Sequence, residues 1–525
     1  MAKKYTPLIS ALVVLYVIVA VLLVITLNKN NGILSYPLDD TFIHMAISKN
    51  FAEYGVWGIT RYEFSSTTSS PLYTIILATF FYLTGPNIWI PLIVNIIFAA
   101  LFLILADNLL SKENVGFNLR LIILLAIVLF MPLPILVISG MEHILHTLFA
   151  FWFVYLGVKM IEGEKYAVKD QILLIVLAIC LGLSRYEGLF TVFALCCLFF
   201  LRGKFIYSVA LGALAILPIV IFGIISVQNG SYWLPNSVLL KGHSVSLLSM
   251  AGIENLYSKP LVTLSHASWL FTLTLLIVGF YIIRHLRGKF SFWTFGQLLI
   301  IVFLVSLFFH VEFAAVGWVY RYEAYLMALG IFILGVLWKE TIPVFKNTFT
   351  GYGKYITVGL FIILIVPIAG RGVSALRFGP KASNNIYMQQ YQMGRFLHEY
   401  YNGESIAAND IGAINYLADL KLLDIVGLGS IETAKAKREG RFSGKLVENL
   451  AKEKGVRIAL VYDKELKNSP TNWIKVGEWK IKNNVVGASD VVAFYAVNAE
   501  EASVLKKNMQ SFTSKLPEGV EVTIL

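Results

Sequence analysis

Charge is what this sequence has least of. Of its 525 residues only 14% are Asp, Glu, Lys or Arg, while 57% are hydrophobic and the mean hydropathy is +0.72. Soluble domains are about 25% charged, so a string of soluble domains is excluded. Cysteine is nearly as scarce. Cys180, Cys196 and Cys197 all lie in apolar runs, which excludes a disulfide framework or a CxxC metal site and leaves the compartment open. Internal repeats and low-complexity segments are lacking too. The charge that is present is lopsided, at +11. In a soluble chain that excess would suggest nucleic acid; in an apolar one it belongs to cytoplasmic loops, and no nucleic-acid partner is expected.

The apolar residues are concentrated before Gly370, and after Arg371 the composition is that of a soluble protein. A bilayer span needs about 20 mostly apolar residues. Eleven segments qualify: roughly 8–27, 88–109, 119–138, 143–161, 171–184, 187–201, 205–227, 267–283, 292–309, 323–338 and 354–370. The first follows Met-Ala-Lys-Lys without a small-residue cleavage site and reads as an anchor. This divides the chain into a transmembrane module, 1–370, with a first outer loop at 28–70, and a soluble domain, 371–525. The domain is expected to be α/β, from short β-like runs at Arg457–Tyr462 and Val491–Val497 among helical stretches such as Ile386–Tyr401.

Sidedness turns on one further apolar stretch, Pro71–Thr84, which is only about 14 residues long. If it does not cross, fifteen Lys and Arg lie in cytoplasmic loops against seven outside; if it crosses, the count becomes six against sixteen. The positive-inside rule selects the first arrangement. Eleven crossings from a cytoplasmic N-terminus then put the C-terminal domain outside, with Asp39, Asp40, Glu142, Asn236, Lys241, Glu312 and Arg321 on the same face. The expected location is the cell (inner) membrane.

The first outer loop holds two adjacent acids, Asp39 and Asp40, at the start of a stretch whose apolar Phe42, Ala46, Ile47, Phe51 and Tyr54 share a helical face. This predicts an amphipathic helix lying on the membrane. One acid, Asp40, suits an N-cap; a neighbouring pair also suits a general base or a divalent-ion ligand. Glu142 and His143 stand at the mouth of the next span, and the His143/His146 spacing alone is weak evidence for metal. Arg185 and Glu187 sit between two apolar segments, where an ion pair or a functional role is open. Asn236, Lys241 and Arg321 complete the set, and the three cations Arg185, Lys241 and Arg321 suit a lipid-linked phosphate beside a base.

The order of these motifs resembles the GT-C superfamily of polytopic glycosyltransferases that use polyprenyl-phosphate sugars, and within it the cell-wall arabinofuranosyltransferases and their bacterial relatives. The matching residues are Asp39–Ile43 (DDTFI), Ser70–Leu72 (SPL), Ser139–Glu142 (SGME), Ser184–Gly188 (SRYEG), Pro235–Lys241 (PNSVLLK) and Asp410–Gly412 (DIG). Ser70, Met141 and Tyr186 depart from the family pattern. The resemblance implies a GT-C-type fold of about eleven transmembrane helices with interfacial helices. It also implies an inverting transfer of a sugar, a pentofuranose such as arabinofuranose, from a polyprenyl-phosphate donor to a glycan, glycolipid or protein acceptor. Asp39 would be the base and Asp40 its helper, which would also hold a divalent cation, Mg or Mn, if one is used. Arg185, Lys241 and Arg321 would meet the phosphate, in that order, and Glu142, His143, Glu187 and Asn236 would bind substrate. A lipid-linked glycan flippase and a polysaccharide polymerase or ligase are the rival readings.

Overall fold

The computed structural model describes residues 2–163, 167–241, 262–263, 265–285, 291–348, 352–466, 470 and 472–525. Each of the eleven predicted segments is helical. The first helices are α1 (Ala2–Lys29), α2 (Asp39–Tyr54), α3 (Pro71–Thr84), α4 (Ile90–Lys112), α5 (Phe117–Phe130), α6 (Leu133–Ser139), α7 (His143–Gly163), α8 (Val168–Ser184), α9 (Gly188–Leu201), α10 (Phe205–Gln228) and α11 (Asn236–Lys241). Further apolar helices follow at Ser268–His285, Phe295–Phe313, Ala324–Thr348 and Tyr352–Ile386. Six helices among the described residues are long and apolar enough to cross a bilayer, and the bent pair α5–α6 makes a seventh. The others are shorter apolar helices within the same bundle.

Helix α3 starts with Pro71 at its first turn, where the missing N–H is harmless, and ends at Gly85. Its 14 residues rise about 21 Å, short of a hydrocarbon core of about 30 Å. Helix α2 ends on Gly55, whose left-handed conformation (φ 70°) lets its N–H reach the carbonyls of Asn50 and Phe51. Phe42, Ala46 and Ile47 are buried as predicted, and Phe51 and Tyr54 are exposed. Thr41, Ile43, His44, Met45, Ser48 and Asn50 are buried as well. The helix is therefore not laid on a membrane surface with one face in water; it is enclosed by α3 on one side and the C-terminal domain on the other.

The change of composition at residue 371 does not coincide with a break in the chain. Helix Tyr352–Ile386 runs through it, passes one π-turn at Tyr387–Tyr391, and continues as Gln392–Tyr400 into the C-terminal domain. Arg371 is buried and donates to Glu323 at 2.9 Å, tying this long helix to the bundle. The domain is a six-stranded mixed sheet: β1 (Ser405–Ala408), β2 (Lys421–Asp424), β3 (Ile458–Val461), β4 (Ile474–Ile481), β5 (Val491–Ala496) and β6 (Val520–Ile524), in the order β2-β1-β3-β5-β4-β6. β2, β1 and β3 are parallel and the rest antiparallel. The short helix Gly412–Leu417 is the crossover between parallel β1 and β2. Asp410, Leu428 and Tyr462 all lie beyond the carboxyl ends of the parallel strands, the edge at which open α/β sheets bind ligands, and this edge faces the bundle.

Candidate active site

The first outer loop, the turns before α7 and α9, the segment around Arg321 and the carboxyl edge of the sheet meet at one end of the bundle. They enclose a cavity of about 460 Å³. Its polar wall holds Asp40, His44, Thr67, Thr68, Arg185, Glu187, Arg321 and Tyr322, and its apolar wall Leu189, Phe190, Ile216, Ile219 and Val238. Leu189 and Ile216 also line a second, apolar furrow of about 660 Å³ between α9 and α10, next to the cavity.

The two neighbouring acids point to different partners. Asp40 lines the cavity, keeps 26% of its side chain exposed, and accepts from Arg321 Nη2 at 2.7 Å. Arg321 Nη2 also reaches Tyr322 Oη at 2.9 Å. Asp39 is turned the other way. Its carboxylate accepts backbone N–H from Gly412 at 2.7 Å and Ala413 at 2.8 Å, so it caps a helix of the C-terminal domain. Neither acid caps α2, whose N-cap residue Leu38 offers no side-chain bond. Loss of water, and then the like charge of Asp410, push the Asp39 carboxyl up to about 7, against the pull of the two N–H groups and with a further upward push from Asp40. Asp410 is raised as well, first by burial, although Tyr462, Gln390 and Asn409 hydrogen-bond to it. The cavity-facing acid is thus Asp40, whereas the sequence pointed to Asp39.

Arg185 is the most fully engaged cation. It donates to Glu142, to Glu187 at 2.6 and 3.1 Å, and contacts His143 Nε2 at 3.0 Å. Glu142 is fully buried and also meets His44 Nε2 at 3.4 Å. Gly140 sets up this turn: its φ is 65°, and a Cβ would fall 2.4 Å from the Tyr36 ring. Of the predicted site residues, Asp40, Arg185, Glu187 and Arg321 line the cavity. Glu142 and His143 lie behind its wall, and His146 contacts Ser184 Oγ at 3.3 Å and the Tyr325 ring. Asn236 is buried, with its side chain donating to Leu428 O at 3.2 Å and its N–H to Ser66 O at 2.8 Å, so it joins two loops. Lys241 closes α11 and its side chain lies outside the described residues.

Sequence reasoning missed His44, Thr67, Thr68 and Tyr322. The run Phe64–Ser70 (FSSTTSS) was a usable signal, because six hydroxyl residues between apolar segments need partners. Thr67 Oγ1 donates to Leu428 O at 2.9 Å, and Thr68 Oγ1, His44 Nδ1 and Thr74 Oγ1 form a buried cluster at 3.0–3.3 Å. Among the described residues no three His, Cys, Asp or Glu side chains converge on a possible metal position. Asp40, the expected holder, faces a guanidinium, which opposes a divalent ion at that carboxylate.

Residues 384–495 match a family described as a domain of unknown function (DUF8728). No curated protein matches the chain. Among solved structures, ArnT from Cupriavidus metallidurans bound to undecaprenyl phosphate is similar at 13% identity and a TM-score of 0.52, over 93% of this chain and 98% of that one. The Archaeoglobus fulgidus oligosaccharyltransferase in its apo form is similar at 12% identity and a TM-score of 0.51, over 99% of this chain and 76% of that one. The chain shares the fold of these two structures, an apolar helical bundle, followed here by a C-terminal α/β domain.

Proposed function

We propose that this protein is a membrane glycosyltransferase that moves a sugar from a polyprenyl-phosphate donor to an acceptor hydroxyl with inversion. One observation carries the reading: a cavity holding Asp40 and Arg321 side by side shares Leu189 and Ile216 with an apolar furrow between α9 and α10. That pairing of a charged head site with an apolar channel suits a lipid-linked phosphate, and the similar ArnT structure contains undecaprenyl phosphate.

In the step proposed, the acceptor oxygen attacks the anomeric carbon and its proton passes to Asp40, while the bond to the donor phosphate breaks and polyprenyl phosphate departs. Position selects Asp40 over Asp39 for this role, because a base must first reach the hydroxyl. Arg321 balances the departing phosphate and, in turning toward it, gives up its ion pair with Asp40, which becomes more basic. Arg185, saturated by Glu142 and Glu187, is proposed to shape the wall and to contribute less to the phosphate. The motif order supports a pentofuranose such as arabinofuranose, and the loop-charge count supports an outer-face site in the cell membrane. The proposed acceptor is a glycan, glycolipid or protein hydroxyl. No step is routed through a metal.

The test is transfer by the purified protein from a synthetic polyprenyl-phosphate sugar, with mass spectrometry of the co-purifying lipid. Release of free polyprenyl phosphate, lost in Asp40→Asn while donor binding persists, supports the reading. Movement of intact lipid-linked glycan across vesicles without release overturns it in favour of a flippase.

A further inference from the structure

The C-terminal domain touches the acid-bearing helix α2 at both ends, and nothing in the transfer chemistry itself explains why. At one end Asp39 takes the N–H groups of Gly412 and Ala413. Ten residues later Lys49 Nζ donates to the carbonyl oxygens of Tyr416, at 2.7 Å, and Asn415, at 3.4 Å. These are the free N–H and C=O groups at the two ends of the same short helix, Gly412–Leu417. The contact leaves no room for error at its front end: a Cβ on Gly412 would sit 2.2 Å from the Asp39 carbonyl oxygen and 2.8 Å from its carboxyl carbon. The two helices are thus matched in length and spacing, with an acid of α2 at the donor end and a cation of α2 at the acceptor end.

The helix that grips α2 is itself fixed from behind. Asp410, two residues before it, accepts from Tyr462 Oη and from Gln390 Nε2 at 2.8 Å, and Gln390 also donates to Tyr462 Oη at 3.0 Å. Gln390 projects from the π-turn Tyr387–Tyr391 in the long helix that links the bundle to the domain. Such turns redirect side chains that a regular helix would place elsewhere. The first loop is fastened again by Arg61 to Asp419 at 2.6 Å.

We propose that this domain, whose family description assigns it no function, is the positioning unit of the transferase: it clamps α2 through Asp39 and Lys49 and thereby sets where Asp40 stands against Arg321. The inference rests on the transferase reading. Asp39 and Lys49 are positioning residues in it, one residue and nine residues from the acid that reaches the cavity.

The experiment uses the full chain in detergent with Gly412→Ala, Lys49→Met and Lys49→Arg, and Lys482→Met on the far edge of the sheet as control. Hydrogen exchange follows α2 directly, and transfer kinetics follow the consequence. Expected for Gly412→Ala and Lys49→Met is exchange about tenfold faster across α2, with the spans and the sheet keeping their protection. Their kcat falls about 10- to 100-fold, the scale of a misplaced catalytic group, with KM for the donor within about twofold. Lys49→Arg restores both, because a cation still reaches the carbonyls. Unchanged exchange in α2, or loosened α2 with normal kcat, overturns the clamp. So does loss of protection throughout the domain in Lys49→Met, the milder variant, should Gly412→Ala not fold. Loosened α2 in a protein that transfers no sugar even as wild type supports the clamp and overturns the transferase reading instead.

Discussion

Two charged walls adjoin the cavity, and they are built on opposite principles. On the side of the bundle, Arg185 lies between Glu142 and Glu187, with His44 and His143 against the same acids, so that charge is compensated within one compact group. On the side of the first loop, Asp40 lines the cavity and pairs with Arg321, while Asp39 and Asp410 lie behind it, and the three acids influence one another. In the first wall one guanidinium answers both acids. In the second, burial and like charge raise the carboxyls of Asp39 and Asp410, the kind of perturbation that marks a site of chemistry.

Substitutions at the two walls are expected to separate activity from stability. The largest effect is expected for Asp40→Asn, which lowers turnover by about 10²- to 10⁴-fold, the range of a lost general base, with little change in melting temperature. Single-turnover assays beside thermal unfolding check it; near-normal turnover would move the base away from Asp40. Arg185→Met should do the reverse. It strands the buried Glu142 and the half-buried Glu187 and lowers stability by about 3–5 kcal/mol, visible as a fall in the unfolding midpoint, whereas Arg321→Met reduces turnover and costs less stability because Asp40 is more exposed.

A pH dependence follows from Asp39. Its folded-state pKa of about 7 lies above the ordinary 3.8. Between those values the folded protein holds more protons than the unfolded chain, so this group's contribution to stability falls as pH rises from about 4 to 7. Asp410→Asn removes a like charge, lowers the Asp39 pKa and flattens that slope; melting temperatures measured across the window, in wild type and variant, show it or refute it. The smallest effect is expected at Thr67→Val, which removes one hydrogen bond to Leu428 O and lowers stability by about 1 kcal/mol, with turnover nearly unchanged.

Much of this was legible without coordinates. Long apolar runs must be helices in lipid, since only helices satisfy their backbone groups within one segment, and all eleven runs are helical. Pro71–Thr84 was visible as a stretch of only 14 residues. The DDTFI, SGME, SRYEG and DIG motifs do converge. What could not be read was which way each side chain points. Asp39 and Asp40 are adjacent, and successive residues of a helix lie about 100° apart, so one can face the cavity while the other faces the domain. Arg185 ranked first among the cations on sequence order, yet two carboxylates 43 and 2 residues away occupy it. Asn236 reads from sequence as a ligand group, and its bonds to Leu428 O and Ser66 O, which join two loops, lie between residues far apart in the chain.

The sequence by itself determined that this chain is a membrane bundle followed by an α/β domain, because composition and periodicity act locally, residue against solvent. Only the tertiary structure decided that the domain's β1–β2 crossover would grip the first-loop helix, and that Asp40 would be left to the cavity. Those outcomes depend on hydrogen bonds between residues more than 370 positions apart, for which no local pattern exists.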